Sequence, residues 1–301
     1  MKYLRHFGLR ENPFAVTPDP AFLFRHERFQ ETADRVVAAL TRGEGIVTVT
    51  GPAGTGKTLL CRYLLGRLEQ RFKVAYLLNP MLSVPELNRT IADELGVPPG
   101  TGHGSLLHRM VNHLLGREAE GRKAVILVDD AQSLPDKTLE ALRLMTNLET
   151  DKDKIVQLVL VGQPELAPRL AASPSMEQRI TTSLGVTSLE RRELGTYVEH
   201  RLKVAGNRRG ALLTRWALRA LFKASGGTPR LVNLLTQKAL EAAAEGRVSR
   251  IGWRHVRAAV KEMAQKHPTG RSMAESWLRS PRSEKKGAGA RETSAGGPAA
   301  Q

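Results

Sequence analysis

The residues with the clearest chemical meaning are Gly51-Pro52-Ala53-Gly54-Thr55-Gly56-Lys57-Thr58, which fit the Walker A pattern G-x-x-x-x-G-K-[ST]. Their types and order suit a polyphosphate. Gly51, Gly54 and Gly56 let the backbone bend until its N–H groups surround a β-phosphate. Lys57 adds a positive charge, and the Thr58 hydroxyl is of the kind that ligates Mg²⁺. A β-type run, Ile46–Thr50, precedes the loop, and the residues from Leu59 to Leu65 read as a helix whose N-terminal N–H groups and dipole also favour phosphate. This context predicts an ATP or GTP site whose contacts include Pro52, Ala53, Thr55 and Leu59 besides the glycines, Lys57 and Thr58.

The run Ala124-Val-Ile-Leu-Val128 ends in Asp129-Asp130, the form of a Walker B strand. It delivers acids to the carboxyl edge of a sheet, where ligands bind in open α/β folds. Asp129 is expected to hold the Mg²⁺, directly or through water, because a hard cation prefers carboxylate oxygen. Asp130 is then placed to orient or activate the attacking water.

These residues need a scaffold. From 46 to 162, short β-rich runs (Ile46–Thr50, Val74–Leu78, Ala124–Val128, Val156–Val161) alternate with helical stretches (Lys57 to about Arg71, Val84–Leu95, Leu106–Leu115, Lys137–Asn147), as an α/β parallel-sheet domain requires. From about Glu190 the strand signal ends. Glu193–Val204, Thr214–Ala224, Pro229–Glu245 and Trp253–Gln265 read as helices, with Gly226 and Gly246 as C-terminal stops and Thr228-Pro229 as an N-cap and first turn. The pattern therefore predicts an αβα sandwich followed by a small all-helical domain. Its expected parts are a leading segment at 1–30 packing on the core, a nucleotide-binding domain at 31–189, a basic helical domain at 190–266, and a disordered basic tail at 267–301, poor in apolar periodicity.

The chain has 301 residues and a formal charge of +16. Residues 200–266 hold fifteen Lys/Arg against three Glu, so the excess is concentrated there. Such a field attracts nucleic acid, anionic lipid or an acidic partner, or serves only as a solvated helical surface. No run approaches the ~18 apolar residues that span a bilayer, and the polar start lacks a signal-peptide apolar region. The expectation is a cytoplasmic protein. One cysteine, Cys61, excludes an intrachain disulfide and reads as a buried core thiol. The eight histidines lack ligand spacing, so no transition metal is expected.

Further landmarks carry a family resemblance: Phe7-Gly8-Leu9, Asn12-Pro13-Phe14, Pro18-Asp19-Pro20, Asn79-Pro80, Asp129-Asp130-Ala131-Gln132, Asn147-Leu148-Glu149-Thr150, Val161-Gly162-Gln163-Pro164-Glu165-Leu166, Gln178-Arg179-Ile180 and Gly226-Gly227-Thr228-Pro229-Arg230. With these, Tyr3 to about Gln265 resembles the AAA+ ATPases of the ExeA/GspA secretion type, relatives of transposition helper ATPases. The resemblance implies a P-loop αβα domain with a helical lid, ATP rather than GTP, Mg²⁺, and action as an oligomer. It implies that Gln163 is a sensor between phosphate loop and Walker B. It also implies that Arg179 is an arginine finger acting in trans on a neighbour's γ-phosphate, and that Arg230 is a lid sensor of the nucleotide. The family has Glu where this chain has Asp130, which implies slow hydrolysis. Phe14 and Phe22 either wrap the adenine or staple the leading segment down, and packing is the leading reading. Three tasks follow: an assembly factor for a secretion, pilus or envelope-export component, peripheral at the inner membrane through a partner; a DNA-binding transposition helper using the basic lid; or an ATP-bound switch.

Overall fold

The computed structural model describes residues 1–15, 17, 19–78, 81–98, 106–115, 123–148 and 154–266. Five strands, β1 (Ile46–Thr50), β2 (Lys73–Leu77), β3 (Ala124–Val128), β4 (Val156–Gly162) and β5 (Ile180–Gly185), form one parallel sheet in the order β2-β3-β4-β1-β5. The three central strands are nearly continuous apolar runs because both of their faces are covered. Alternation divides them. Val47, Val49, Val125, Leu127, Val159 and Val161 pack against α2 (Glu27–Thr41) and α3 (Lys57–Leu68). Ile46, Ile126, Val128, Leu158 and Leu160 pack on the other face, under α4 (Val84–Glu94), α5 (Leu106–Leu115) and α6 (Asp136–Met145), with the short α7 (Leu166–Ala171) and α8 (Pro174–Glu177) beside them. The predicted αβα sandwich is therefore present. Cys61 lies wholly buried in the α3 layer, where burial pushes its thiol pKa up.

Beyond β5 come α9 (Arg191–Val204), α10 (Arg215–Ser225), α11 (Pro229–Glu245) and α12 (Trp253–Lys266), which share a separate apolar cluster. The expected leading segment needs a correction at this point. Tyr3 and Phe7 of α1 (Lys2–Phe7), with Leu9, Phe14 and Phe22, pack into that helical cluster and not onto the sheet layers. A six-residue helix cannot bury its own apolar side chains. The lid helices supply the missing cover, and hydrogen bonds from Arg10 N–H to the Ala205 carbonyl (2.8 Å) and from Asn12 Nδ2 to Gln237 Oε1 (3.3 Å) fasten it. The packing of Phe14 and Phe22 is thus as expected in kind, but its partner is the lid.

β1, β3, α5 and α11 have the bounds predicted, and the other expected elements shift by less than a turn. α1, α2, α7, α8 and β5 lie outside the expected set. Gly226 ends α10 in the left-handed region (φ 56°), as predicted. Gly246 also caps the end of α11 at the predicted place, but with φ −75°, and the left-handed residue there is the next one, Arg247 (φ 53°). Asn79-Pro80, Pro18, Glu149-Thr150 and the 267–301 tail lie outside the described residues. Among the described residues, no helix is long and apolar enough to cross a membrane.

Candidate nucleotide site

β1 ends at the glycine loop, β3 ends at Asp129, and β4, which lies between them, runs out at Gln163. Parallel strand order alone brings these three chain turns together at one sheet edge. Gly54 (φ 80°) and Gly56 (φ 101°) take left-handed conformations that side-chain-bearing residues resist, which curls the loop. Gly51 has no such φ, so the expected bend does not come from it; a Cβ there would meet the Val186 carbonyl at 2.4 Å. Lys57 is buried, and its Nζ donates to the carbonyls of Gly51 (2.8 Å) and Pro52 (3.0 Å). Burial lowers its pKa, while the nearby carboxylates of Asp130, Asp129 and Glu165 oppose that shift.

Asp129 is 2% exposed. Its pKa is raised by burial, against hydrogen bonds donated by the Thr58 hydroxyl and by the Asp130 N–H (2.9 Å). A buried carboxylate already paired with a hydroxyl is a donor set that fits a hard divalent cation completed by water and phosphate. Among the described residues no group of three or more His, Cys, Asp or Glu could hold a metal. Asp130 has φ 52°, a region Asp tolerates better than most residues.

One residue without an assigned sequence role organises this edge. Gln132 Oε1 accepts from the Gln163 N–H (2.9 Å), and its Nε2 donates to Asp130 Oδ1 (3.2 Å). Gly162 makes room for it, because a Cβ there would fall 2.8 Å from Gln132 Oε1. Gln132 therefore ties the exposed acid to the end of β4. It was legible only as part of the Asp129-Asp130-Ala131-Gln132 landmark.

The loop faces a cavity of about 370 Å³. Ala53, Gly54, Gly56, Lys57, Thr58 and Leu59 form one wall, with Asp130 and Gln163 at the sheet edge. Arg230 comes from the lid, where its backbone N–H donates to the Gly54 carbonyl (3.2 Å). Opposite stand Ala15, Thr17 and Asp19 of the leading segment, beside Tyr197, Arg201 and Asn233. Of the predicted residues, Pro52 and Thr55 shape the loop from behind, through the Thr55 hydroxyl donating to the Pro52 carbonyl (2.9 Å). Arg179 is not on this cavity; its Nη1 lies 3.5 Å from Thr146 Oγ1 at the end of α6.

The sequence marks Arg201 only as one charge of the basic segment, yet it is 5% exposed. Its guanidinium is enclosed by the rings of Phe14, Phe22 and Tyr197 at 5.1–5.9 Å. Its Nε donates to the Pro13 carbonyl (2.5 Å) and its Nη1 to Tyr197 Oη (3.3 Å), so it fastens the leading segment to α9 beside the cavity. Opposite-face restraint comes from Arg28, which donates to Glu193 Oε2 (2.6 Å) and Thr187 Oγ1 (3.0 Å) and so joins α2 to the start of the lid.

A family model described as "AAA domain" matches residues 40–170, the stretch that holds the loop, both acids and Gln163. The chain carries an AAA domain. Its resemblance to the secretion type is borne out by General secretion pathway protein A of Aeromonas hydrophila, which is 42% identical over 245 residues, 80% of this chain and 45% of that protein. The chain thus spans about half the length of the curated relative it matches. Among solved structures, Cdc6p of Pyrobaculum aerophilum superposes with a TM-score of 0.65 at 18% identity, covering 83% of this chain and 70% of that one. ORC2 of Aeropyrum pernix gives 0.60 at 21% (84% and 71%), and RuvB of Thermotoga maritima gives 0.53 at 19% (79% and 70%). At such identities these likenesses show that the AAA domain and the lid share the fold of those proteins, and no more.

Proposed function

We propose that the protein is a Mg-ATP-hydrolysing assembly factor that works as an oligomer in the assembly of a secretion, pilus or envelope-export apparatus. The observation that carries the reading is the cavity itself, where Lys57, Thr58, Asp130, Gln163 and the lid residue Arg230 face one space. In this reading the loop N–H groups and Lys57 bind the β- and γ-phosphates, and Arg230 makes lid position depend on the phosphate present. Thr58 and Asp129 hold the Mg²⁺, which supplies charge neutralisation for the phosphates when bound. Asp130, held by Gln132, accepts a proton from the attacking water, and the Gln163 side chain orients that water. ATP is preferred to GTP on the strength of the family alone.

Arg179 lies off its own cavity, which supports a role in trans: its guanidinium would complete a neighbour's site. The secretion task rests on the relationship to the Aeromonas protein. The basic lid favours a second reading, in which double-stranded DNA is the partner. Steady-state ATP hydrolysis across protein concentration, with and without double-stranded DNA and with Arg179→Ala mixed into the native protein, tests both. Turnover that rises with concentration, is poisoned by the variant and ignores DNA supports the secretion reading. A jump on adding DNA supports the second, and tight ATP binding without turnover would make the protein an ATP-bound switch.

A further inference from the structure

The residues before α10 and before α12 are bridged. Leu213 pairs with Ile251, the Thr214 N–H donates to the Ile251 carbonyl (3.0 Å), and the Ile251 N–H donates to the Leu212 carbonyl (2.8 Å). Two helices therefore begin side by side at one end of the lid, with the positive ends of their dipoles together. That end is also arginine-rich. Arg215, Arg219 and Arg250 surround Trp216 and Thr214 about a depression of about 380 Å³. Arg247 lies on the same loop as Arg250, and Arg254 sits in the first turn of α12. No acidic residue occurs at 206–223 or 246–261, and none of these five arginines makes an ion pair with a described residue.

Apolar groups stand out among the cations. Trp216 is 63% exposed, and Val248 is 39% exposed between Arg247 and Arg250, on a loop exposed from Glu245 to Arg250. Arg219 covers one face of the Trp216 ring (4.9 Å), and Arg254 lies over Trp253 (5.7 Å). Exposed large apolar side chains set in a like-charged rim mark a contact surface. We propose that this end of the lid docks on an anionic lipid surface. Tryptophan and valine enter the headgroup layer while the surrounding guanidinium groups meet lipid phosphates. The arrangement fits a lipid better than a nucleic acid strand. Strand binding uses open aromatic faces along an extended groove, whereas here both indoles are capped by guanidinium, and the exposed valine has no partner on a phosphate backbone. The inference does not depend on ATP hydrolysis.

Sedimentation of the full chain with vesicles of phosphatidylcholine alone, or mixed with phosphatidylglycerol, tests it, with a double-stranded DNA oligonucleotide as competitor. The expected result is binding to the anionic vesicles only. Arg215→Glu/Arg250→Glu should weaken it by about tenfold or more, given roughly fivefold for each cation near such a surface. Trp216→Ala should weaken it severalfold, with circular dichroism and ATP affinity unchanged in both variants. Equal binding to neutral vesicles, undiminished binding by the double variant, or displacement from the vesicles by DNA at a lower concentration than anionic lipid would each overturn it.

Discussion

The substitution Gln132→Glu isolates what the Gln132 bridge contributes. The two side chains are nearly isosteric, so the acceptor for the Gln163 N–H survives. The other arm reverses: a donating NH₂ 3.2 Å from Asp130 Oδ1 becomes a carboxylate oxygen. Two like charges at that distance repel by about 1 kcal/mol in water and about 5 kcal/mol at an effective dielectric of 20. Asp130 is exposed, which places the cost near the lower end, about 1–2 kcal/mol. Loss of the hydrogen bond adds about 1 kcal/mol. Asp130 relieves the sum by swinging away from its position, and a barrier higher by about 2–3 kcal/mol slows cleavage roughly 30- to 150-fold. Neither change touches the loop, so ATP affinity should stay within about threefold. Single-turnover ATP cleavage, paired with equilibrium binding of a fluorescent ATP analogue, separates the two effects. Cleavage at the native rate would refute the positioning role of Gln132, and so would an affinity loss as large as the rate loss.

Four further outcomes follow from the same geometry. Asp130→Asn keeps the left-handed turn (φ 52°) but removes the proton acceptor, so ATP should bind normally while single-turnover cleavage falls at least about a hundredfold. Gly54→Ala puts a Cβ 2.8 Å from Arg230 Cβ at a φ of 80°; a strain of about 1–2 kcal/mol should raise the ATP dissociation constant roughly 5- to 30-fold by calorimetry. Arg201→Ala strands the Pro13 carbonyl and opens the space among three rings, so it should lower stability by about 3 kcal/mol in urea and expose the amides of residues 10–15 to hydrogen exchange. Acid should loosen the lid attachment. Burial raises the Glu193 pKa, but the Glu190 N–H, Arg28 and His26 outweigh it and hold the group below the usual carboxylate range. Burial likewise holds His26 below the usual imidazole range. Both contributions are present at neutral pH and fade as pH falls through these depressed values, so Tm should drop in acid, and Glu193→Gln should lower Tm at neutral pH and flatten that dependence.

The legible parts of the fold were those with strong, repeated apolar spacing. β1, β3 and β4 are apolar on both faces, α5 is strongly amphipathic, and α11 has a distinct start at Thr228-Pro229 and end at Gly246. β5 is not legible because Ile180-Thr-Thr-Ser-Leu-Gly185 is an edge strand, half exposed and half hydroxylated. α2 was missed although Phe29, Ala33, Val36 and Leu40 recur at helical spacing, for its N-cap, His26, makes no side-chain capping bond. The site divides the same way. The glycine loop and the paired acids have motifs, whereas Gln132 acts through two side-chain hydrogen bonds that no local pattern encodes. Arg201 was hidden because an arginine in a basic segment reads as solvent-facing charge, and only the tertiary fold closes three aromatic rings around it.

The attachment of the first two dozen residues to the last helices has a consequence for how the chain is made. His6 bonds to the Val248 carbonyl, 242 residues later, and Asn12 to Gln237. At roughly 5–20 residues per second, a ribosome needs on the order of 10–50 s to deliver the partners of a segment it has already released. Through that interval Tyr3, Phe7, Phe14 and Phe22, all buried in the finished protein, have nothing to pack against. The sheet layers can close meanwhile, since their apolar clusters draw on residues 29–184. The aromatic side chains of the leading segment thus depend for their cover on residues synthesised long after them.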